Sequence, residues 1–160
     1  MGSRIRYYSS SADRGDTDMG PQSKWRVLVA DDDEHICNLL SAAFELIGIE
    51  CETANDGVKA QNMIRARRYD AFVSDLAMPR LNGHRLFVEL TEKSHPAMLF
   101  TITGVAEPKL VRDLIVRGVR QIFHTPVDVD IVAATVAASL ARPEHTTSTS
   151  TARSSTAGEN

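Results

Sequence analysis

Short apolar strands and amphipathic helices alternate along the middle of this 160-residue chain. Segments such as WRVLVA and AMLFTI are short apolar runs, as expected for buried strands. Between these runs, apolar residues recur at spacings of three and four, the pattern of a helix with one buried face. Strands are predicted over 25–30, 49–54, 71–74, 97–102 and 121–124. Helices are predicted over 34–47, 58–67, 83–93, 108–117 and 129–140.

The alternation of strands and helices also predicts how the domain is built. Five strand–helix repeats require a parallel sheet with helices on both faces, and right-handed crossovers restrict its topology. Residues 1–23 are rich in Ser, Asp, Arg and Gly without periodicity, and 143–160 are rich in Ser, Thr and Ala. We expect both segments to be disordered arms, and 24–142 to be the folded domain.

Composition and charge narrow the classes of function. The chain is 42% hydrophobic, and its net charge of −3 argues neither for nor against a nucleic-acid partner. Because the sequence has no basic stripe, such a partner is not expected. It has no apolar run near the ~20 residues of a membrane span, and its first residues lack the apolar h-region that a signal peptide would show, so none is expected. Cys37 and Cys51 lie in apolar sequence and are expected to be buried free thiols of a reducing compartment rather than a disulfide. We therefore expect a cytoplasmic protein without a membrane partner.

Carboxylates follow two of the predicted strands. Asp31 and Asp32 come directly after the first strand, and Asp75 ends the third. If these strands are neighbours, the carboxylates converge outside the carboxyl ends of the strands, where open α/β sheets bind their ligands. Converging carboxylates raise each other's pKa and need a cation. Because hard oxygen ligands suit Mg²⁺, the pattern predicts a magnesium site.

A hydroxyl group follows the fourth strand, in Thr103-Gly104. It can donate a hydrogen bond to an anionic oxygen without adding charge. Taken singly, an Asp-Asp pair after a strand is more often a helix cap and a solvated turn, and Thr-Gly is usually only a turn. Their combination at the ends of three strands favours a functional site.

Together these residues resemble a response-regulator receiver domain. The matching positions are VLVADDD at 27–33, DLAMP at 75–79, Asn82-Gly83, Thr103-Gly104 and Pro126. The resemblance covers the whole segment expected to fold. It implies an α/β, flavodoxin-like, doubly wound sheet of five parallel strands in the order 2-1-3-4-5.

The resemblance implies a role for each site residue. Asp75 would accept a phosphoryl group from a kinase phosphohistidine and become an aspartyl phosphate. Asp32, Asp75 and the backbone carbonyl of Ala77 would bind Mg²⁺ directly, and Asp31 would bind it through a water. Thr103 would move toward the phosphate and couple the site to the fourth helix. The protein would then be a phosphorelay module of a two-component system and not an enzyme.

Two positions depart from the family pattern. The lysine that normally precedes the proline is Thr125, and loss of such a preorganised donor typically costs on the order of 10²-fold in rate. Three residues earlier, where the family often has an aromatic switch residue, this chain has Ile122. Phe123 is adjacent to Ile122, but its side chain should point to the opposite face of the sheet. For the same reason, the side chain of His124 should point to the face opposite that of Thr125.

The leading hypothesis is a stand-alone receiver in two-component signalling. A sensor histidine kinase or phosphotransfer protein would phosphorylate it, and it would act on a downstream protein through a surface around helices 4 and 5. The fifth helix carries Ala133, Ala134, Ala137, Ala138 and Ala141. Alanine is simply the best helix former, but this small-residue face also admits close docking against another helix, in a homodimer or a partner.

Three other hypotheses compete with it. A pseudo-receiver, acting as an interaction module without phosphate, is favoured by Thr125 and Ile122. An aspartate-nucleophile phosphatase generally has a second Asp two residues after the nucleophile, where this chain has Ala77. A flavodoxin would place a phosphate loop after the first strand, where the three aspartates of this chain would repel phosphate.

Overall fold

The computed structural model of the protein describes residues 25–104 and 107–142. The elements are β1 (Arg26–Ala30), α1 (Glu34–Leu46), β2 (Glu50–Ala54), α2 (Gly57–Ala66), β3 (Ala71–Asp75), α3 (Gly83–Glu92), β4 (Met98–Thr103), α4 (Pro108–Val116), β5 (Val119–His124) and α5 (Val129–Ala141). Every predicted strand and helix is confirmed, with ends shifted by at most two residues. The arms predicted at 1–23 and 143–160 lie outside the described residues. No helix in the described ranges is long and apolar enough to cross a bilayer.

The five strands form one parallel sheet in the order β2-β1-β3-β4-β5. The predicted flavodoxin-like topology is therefore confirmed. β1 lies between β2 and β3, and Ala30 pairs with Ser74. The residues that follow these two, Asp31 and Asp75, consequently emerge side by side at the carboxyl edge of the sheet.

The core has one layer on each face of the sheet. Alternate residues of β1 point to opposite faces, as strand geometry requires. Val27 and Val29 join the layer under α1 and α5, whereas Leu28 and Ala30 join the layer under α2, α3 and α4. Both faces are covered by helices, which explains why the central strands are mostly apolar.

Two expectations about side-chain burial need correction. Cys37 and Cys51 are free thiols, as predicted, but only Cys37 is buried and Cys51 is half-buried. The alanines of α5 do not share one face. Ala133 lies in the core and Ala137 is half-buried, whereas the exposed ones are Ala134, Ala138 and Ala141. The outer alanine stripe is therefore narrower than the sequence indicated, because Val132, Val136 and Leu140 turn the inner face of α5 toward the sheet.

Replacement of Phe72 by Ala should strongly destabilise the domain. Phe72 is fully buried, and its ring meets that of Phe87 edge to face with 5.6 Å between centroids. Phe→Ala in a core typically costs about 3–5 kcal/mol. Urea denaturation should show such a loss for Phe72→Ala, while Val116→Ala, at a side chain 86% exposed, should change stability by less than about 0.5 kcal/mol. Equal effects of the two substitutions would contradict this packing.

The Glu89 carboxylate should make stability depend on pH. It accepts hydrogen bonds from Lys93 (2.5 Å), Arg65 (2.7 Å) and Gln61. Led by Lys93, these contacts lower its pKa from about 4.5 to about 2, although burial opposes the shift. The stabilisation is then fully present above the unfolded pKa and is lost as pH falls toward 2.

Urea denaturation of the parent and of Glu89→Gln measures this dependence. The stability difference between them should be large near neutral pH and should shrink as pH falls below about 4.5. A difference that stays constant over this range would contradict the assignment.

Candidate metal centre

Three carboxylates meet at the carboxyl edge of the sheet. One oxygen each from Asp31, Asp32 and Asp75 lies within 4.8 Å of the other two. The convergence predicted from the sequence is therefore confirmed by the parallel register of β1 and β3. Asp31 is buried, Asp75 is half-buried and Asp32 is exposed, so the cluster extends from the domain interior to solvent. A small ligand can approach it from the Asp32 side.

Asp31 is the most firmly held of the three. Its Oδ1 accepts a hydrogen bond from the Asp33 N–H (2.8 Å), and its own N–H donates to the carbonyl of Ala54 (3.1 Å). Burial is the largest influence on its pKa, which rises from 3.8 to about 6. The Asp33 N–H opposes this rise, and the charges of Asp75 and Asp32 add to it. Without a cation, the cluster is therefore electrostatically unfavourable.

The donor set fits a hard divalent cation. All three side chains offer carboxylate oxygens, and Mg²⁺ is usually bound by one or two carboxylates plus waters. Asp31, Asp32 and Asp75 are thus the residues that could hold it. Ala77 lies beside them, because its N–H donates to Asp75 Oδ1 at 3.2 Å. Metal ligation by the Ala77 carbonyl remains a prediction.

The loop after Asp75 packs backbone against backbone. A Cβ at Gly83 would lie 2.0 Å from the carbonyl oxygen of Asp75, and one at Gly57 would lie 1.8 Å from that of Leu81. The Gly83 N–H also donates to the Leu76 carbonyl (3.1 Å). Any side chain at either glycine would push the loop away. These two glycines therefore let the loop sit directly on α2 and β3.

The two threonines lie at the same edge of the sheet. Thr103 ends β4 and is buried, and its carbonyl accepts the Thr125 N–H at 3.1 Å. Thr125 Oγ1 lies 3.0 Å from where a Cβ on Gly104 would stand. The hydroxyl of Thr125 therefore packs beside Gly104, with no positive charge to offer a phosphoryl group. A switching role for Thr103 remains a prediction.

The end of β5 confirms the predicted alternation of side chains. Ile122 packs in the layer under α2, α3 and α4, whereas Phe123 packs under α1 and α5. Phe123 thus cannot serve as an aromatic switch in place of Ile122. His124 is exposed.

An ion pair between a buried aspartate and a largely exposed arginine lies beside the site and was missed by the sequence analysis. Asp56 binds the guanidinium of Arg80, which belongs to the loop after Asp75. Asp56 Oδ1 also accepts the Lys59 N–H at 2.8 Å and so caps α2. This N–H is the largest of the influences that hold the pKa of Asp56 below its usual value, and Arg80 adds to it. No local pattern in the sequence connects Asn55-Asp56-Gly57 to Arg80.

A cleft of about 640 Å³ lies at the opposite, amino-terminal edge of the sheet. Trp25, Asp70 and Met98 are among its lining residues. These residues stand at the beginnings of strands, whereas Asp31 and Asp75 follow or end theirs. A metal ion needs several ligand atoms close together, and the carboxylate oxygens of Asp31, Asp32 and Asp75 supply them. The candidate metal centre is therefore at these carboxylates and not in the cleft.

Comparison with known proteins places this geometry in a family context. A family model described as the response regulator receiver domain matches residues 27–137. The sensor histidine kinase RcsC of Salmonella typhimurium is 31% identical over 113 residues, covering 69% of this chain and 12% of the kinase. The transcriptional regulatory protein CpxR homolog of Haemophilus influenzae is 36% identical over 80 residues, covering 49% of this chain and 35% of that protein. The chain thus matches only a minor part of each curated relative.

A solved structure agrees with the family match. The receiver domain of the Francisella response regulator 1452 superimposes with a TM-score of 0.69 at 26% identity. The match covers 73% of this chain and 97% of that domain.

Replacement of Asp75 by Asn should stabilise the metal-free protein and remove its response to Mg²⁺. Asn keeps an oxygen for the Ala77 N–H but removes one of three repelling charges, worth ~1 kcal/mol at this separation in a largely aqueous setting. In a chelator, the melting temperature of Asp75→Asn should exceed that of the parent. Added Mg²⁺ should raise the melting temperature of the parent but hardly that of the variant.

Asp33→Asn is the matched control. Asp33 caps α1 through the His35 N–H (2.9 Å) and lies outside the three-carboxylate group. This variant should keep the Mg²⁺ response of the parent. A parental Mg²⁺ response in Asp75→Asn would show that the cluster is not the metal centre.

Proposed function

The chain belongs to the response regulator receiver domain family, and from this we propose that Asp75 accepts a phosphoryl group from the phosphohistidine of a histidine kinase or phosphotransfer protein. The convergence of Asp31, Asp32 and Asp75 within 4.8 Å carries the proposal. An oxygen of Asp75 bonds to phosphorus while the phosphorus–nitrogen bond breaks and the imidazole departs. The product is an aspartyl phosphate on a signalling module of a two-component system.

The residues around Asp75 prepare it for this transfer. The Ala77 N–H holds one carboxylate oxygen and so orients the group. Asp31 and Asp32, with the Ala77 carbonyl, would complete the Mg²⁺ ligands, Asp31 acting through a water. When bound, Mg²⁺ supplies positive charge that offsets the charge on the phosphoryl oxygens. Thr103 is proposed to donate its hydroxyl to a phosphoryl oxygen and to transmit the change toward α4.

The output is proposed to pass through a surface formed by α4 and α5. Ile115 and Val116 are exposed on α4, and Ile131 is exposed on α5. These apolar side chains favour a downstream protein partner. The exposed stripe of Ala134, Ala138 and Ala141 also admits a homodimer through the same helices. The free thiols of Cys37 and Cys51 favour a cytoplasmic setting.

Intact mass measured after incubation with Mg²⁺ and acetyl phosphate tests the transfer. The parent should gain one phosphoryl group, the gain should disappear with a chelator, and Asp75→Asn should show none. Acetyl phosphate carries the same transferable group and removes the need to know the kinase. Adduct formation that survives Asp75→Asn would contradict the assignment of the acceptor.

A pseudo-receiver is the second candidate function. It is favoured by the neutral Thr125, whose hydroxyl packs beside Gly104, and by Ile122 in place of an aromatic switch. Thr125→Lys separates the two functions. If the site is built for phosphoryl transfer, the lysine should raise the phosphorylation rate by on the order of 10²-fold.

His124→Lys supplies the matched control for this substitution. It introduces the same charge one residue away, on the opposite side of the strand, and should leave the rate near that of the parent. If neither the parent nor Thr125→Lys takes phosphate from acetyl phosphate or from a kinase, the interaction-module function is the correct one.

A further inference from the structure

The loop between β3 and α3 is tied to α2 by one ion pair. The Arg80 guanidinium binds Asp56 Oδ2; the Asp56 side chain is 7% exposed and that of Arg80 is 68% exposed. The other oxygen of Asp56 accepts the Lys59 N–H at 2.8 Å. The first turn of α2 therefore holds the Asp56 carboxylate in place. Arg80, which belongs to the loop, binds the other oxygen of this carboxylate.

The segment that carries Asp56 also supports the acidic turn. The carbonyl of Ala54, which ends β2, accepts the N–H of Asp31 at 3.1 Å. Three residues later, Gly57 lies so close to the Leu81 carbonyl that a Cβ would stand 1.8 Å from it. One short stretch, 54–57, thus contacts both halves of the metal centre: the turn after β1 and the loop after β3.

The backbone of the loop needs an external anchor. Arg80 has a φ of +67°, in the left-handed region that side chains rarely adopt. Within the loop, the Leu81 N–H donates to the Pro79 carbonyl (2.8 Å), and the Gly83 N–H donates to that of Leu76 (3.1 Å). A strained residue persists only where its surroundings fix it. The ion pair with Asp56 fixes the side chain of Arg80 in this way.

We propose that Arg80 is a positioning residue for the metal centre, acting through Asp56 to hold the Asp75–Ala77 side of the site at the correct distance from Asp31 and Asp32. The inference rests on the proposed Mg²⁺ binding, which it deepens by naming what sets the geometry of the ligands. Arg80 touches none of the three clustered carboxylates. Its contribution is to place the loop that carries Ala77, so that the ligands are arranged before the cation arrives.

The sign of the effect separates positioning from simple charge. Arg80→Gln removes a positive charge near a cation site, and by Coulomb's law alone this would strengthen Mg²⁺ binding. Loss of positioning has the opposite sign. Substitution of groups that orient metal ligands typically weakens affinity 10–100-fold. We therefore expect the Mg²⁺ dissociation constant of Arg80→Gln to rise about tenfold.

The matched control is Arg65→Gln. Arg65 is also a largely exposed arginine, and it pairs with Glu89 between α2 and α3 at 2.7 Å. Its removal changes net charge equally without touching the loop. Arg80→Lys restores the charge and should recover part of the affinity. Asp56→Asn keeps an oxygen for the Lys59 N–H but loses the ion pair, and it should resemble Arg80→Gln.

Magnesium titrations of the full chain, followed by the NMR shifts of the Ala77 and Gly83 amides, test the proposal. The proposal is supported if the Mg²⁺ dissociation constant is tenfold higher in Arg80→Gln and unchanged in Arg65→Gln. It is overturned if the dissociation constant of Arg80→Gln is unchanged or lower, or if Arg65→Gln loses as much Mg²⁺ affinity as Arg80→Gln. Unfolding free energies without Mg²⁺ show that each variant is folded.

Amide hydrogen exchange without metal keeps this inference separable from the proposed function. If the parent binds no Mg²⁺, the proposed metal-dependent function fails. The exchange rate of the Gly83 amide then tests separately whether Arg80 holds the loop between β3 and α3 in place. Faster exchange in Arg80→Gln than in Arg65→Gln, by about tenfold, supports a loop held by Arg80. Equal rates in the two variants overturn it.

Discussion

Mutual repulsion among three carboxylates is the constraint on which the site depends. Asp31, Asp32 and Asp75 are forced together because β1 and β3 are parallel neighbours, with Ala30 paired to Ser74. The fold stabilises this arrangement with hydrophobic burial on both faces of the sheet. The pKa of Asp31 is raised mainly by burial, and the charges of Asp75 and Asp32 add to the rise. A bound divalent cation would offset this repulsion, as the proposed Mg²⁺ binding requires.

The surrounding backbone keeps the carboxylates from relaxing apart. Gly57 and Gly83 permit contacts that any larger residue would prevent, and Asp31 is bonded through its N–H to the end of β2. Close packing of this kind leaves few alternative positions for the loop after Asp75. The same packing explains why a contact between Asp56 and Arg80, outside the carboxylate cluster, matters to the cluster.

Periodicity was sufficient to predict the elements, but not their arrangement. The spacing of apolar residues located all ten elements, and period-two alternation correctly placed Ile122 and Phe123 on opposite faces. Strand order came from family resemblance, since local pattern does not determine which strands pair. The Asp56–Arg80 ion pair joins positions 24 apart in sequence and arises only when the folded loop meets α2. Similarly, the division of the α5 alanines depends on how that helix is rotated against the sheet.

The most direct test of the account is to locate the phosphoryl group chemically. A phosphorylated histidine kinase, or acetyl phosphate, is supplied with Mg²⁺, the product is reduced with borohydride, and its peptides are sequenced by mass spectrometry. Because borohydride converts an aspartyl phosphate to homoserine, the account predicts homoserine at position 75, formed only when Mg²⁺ is present. Homoserine at another aspartate, or at position 75 without any divalent cation, would contradict it.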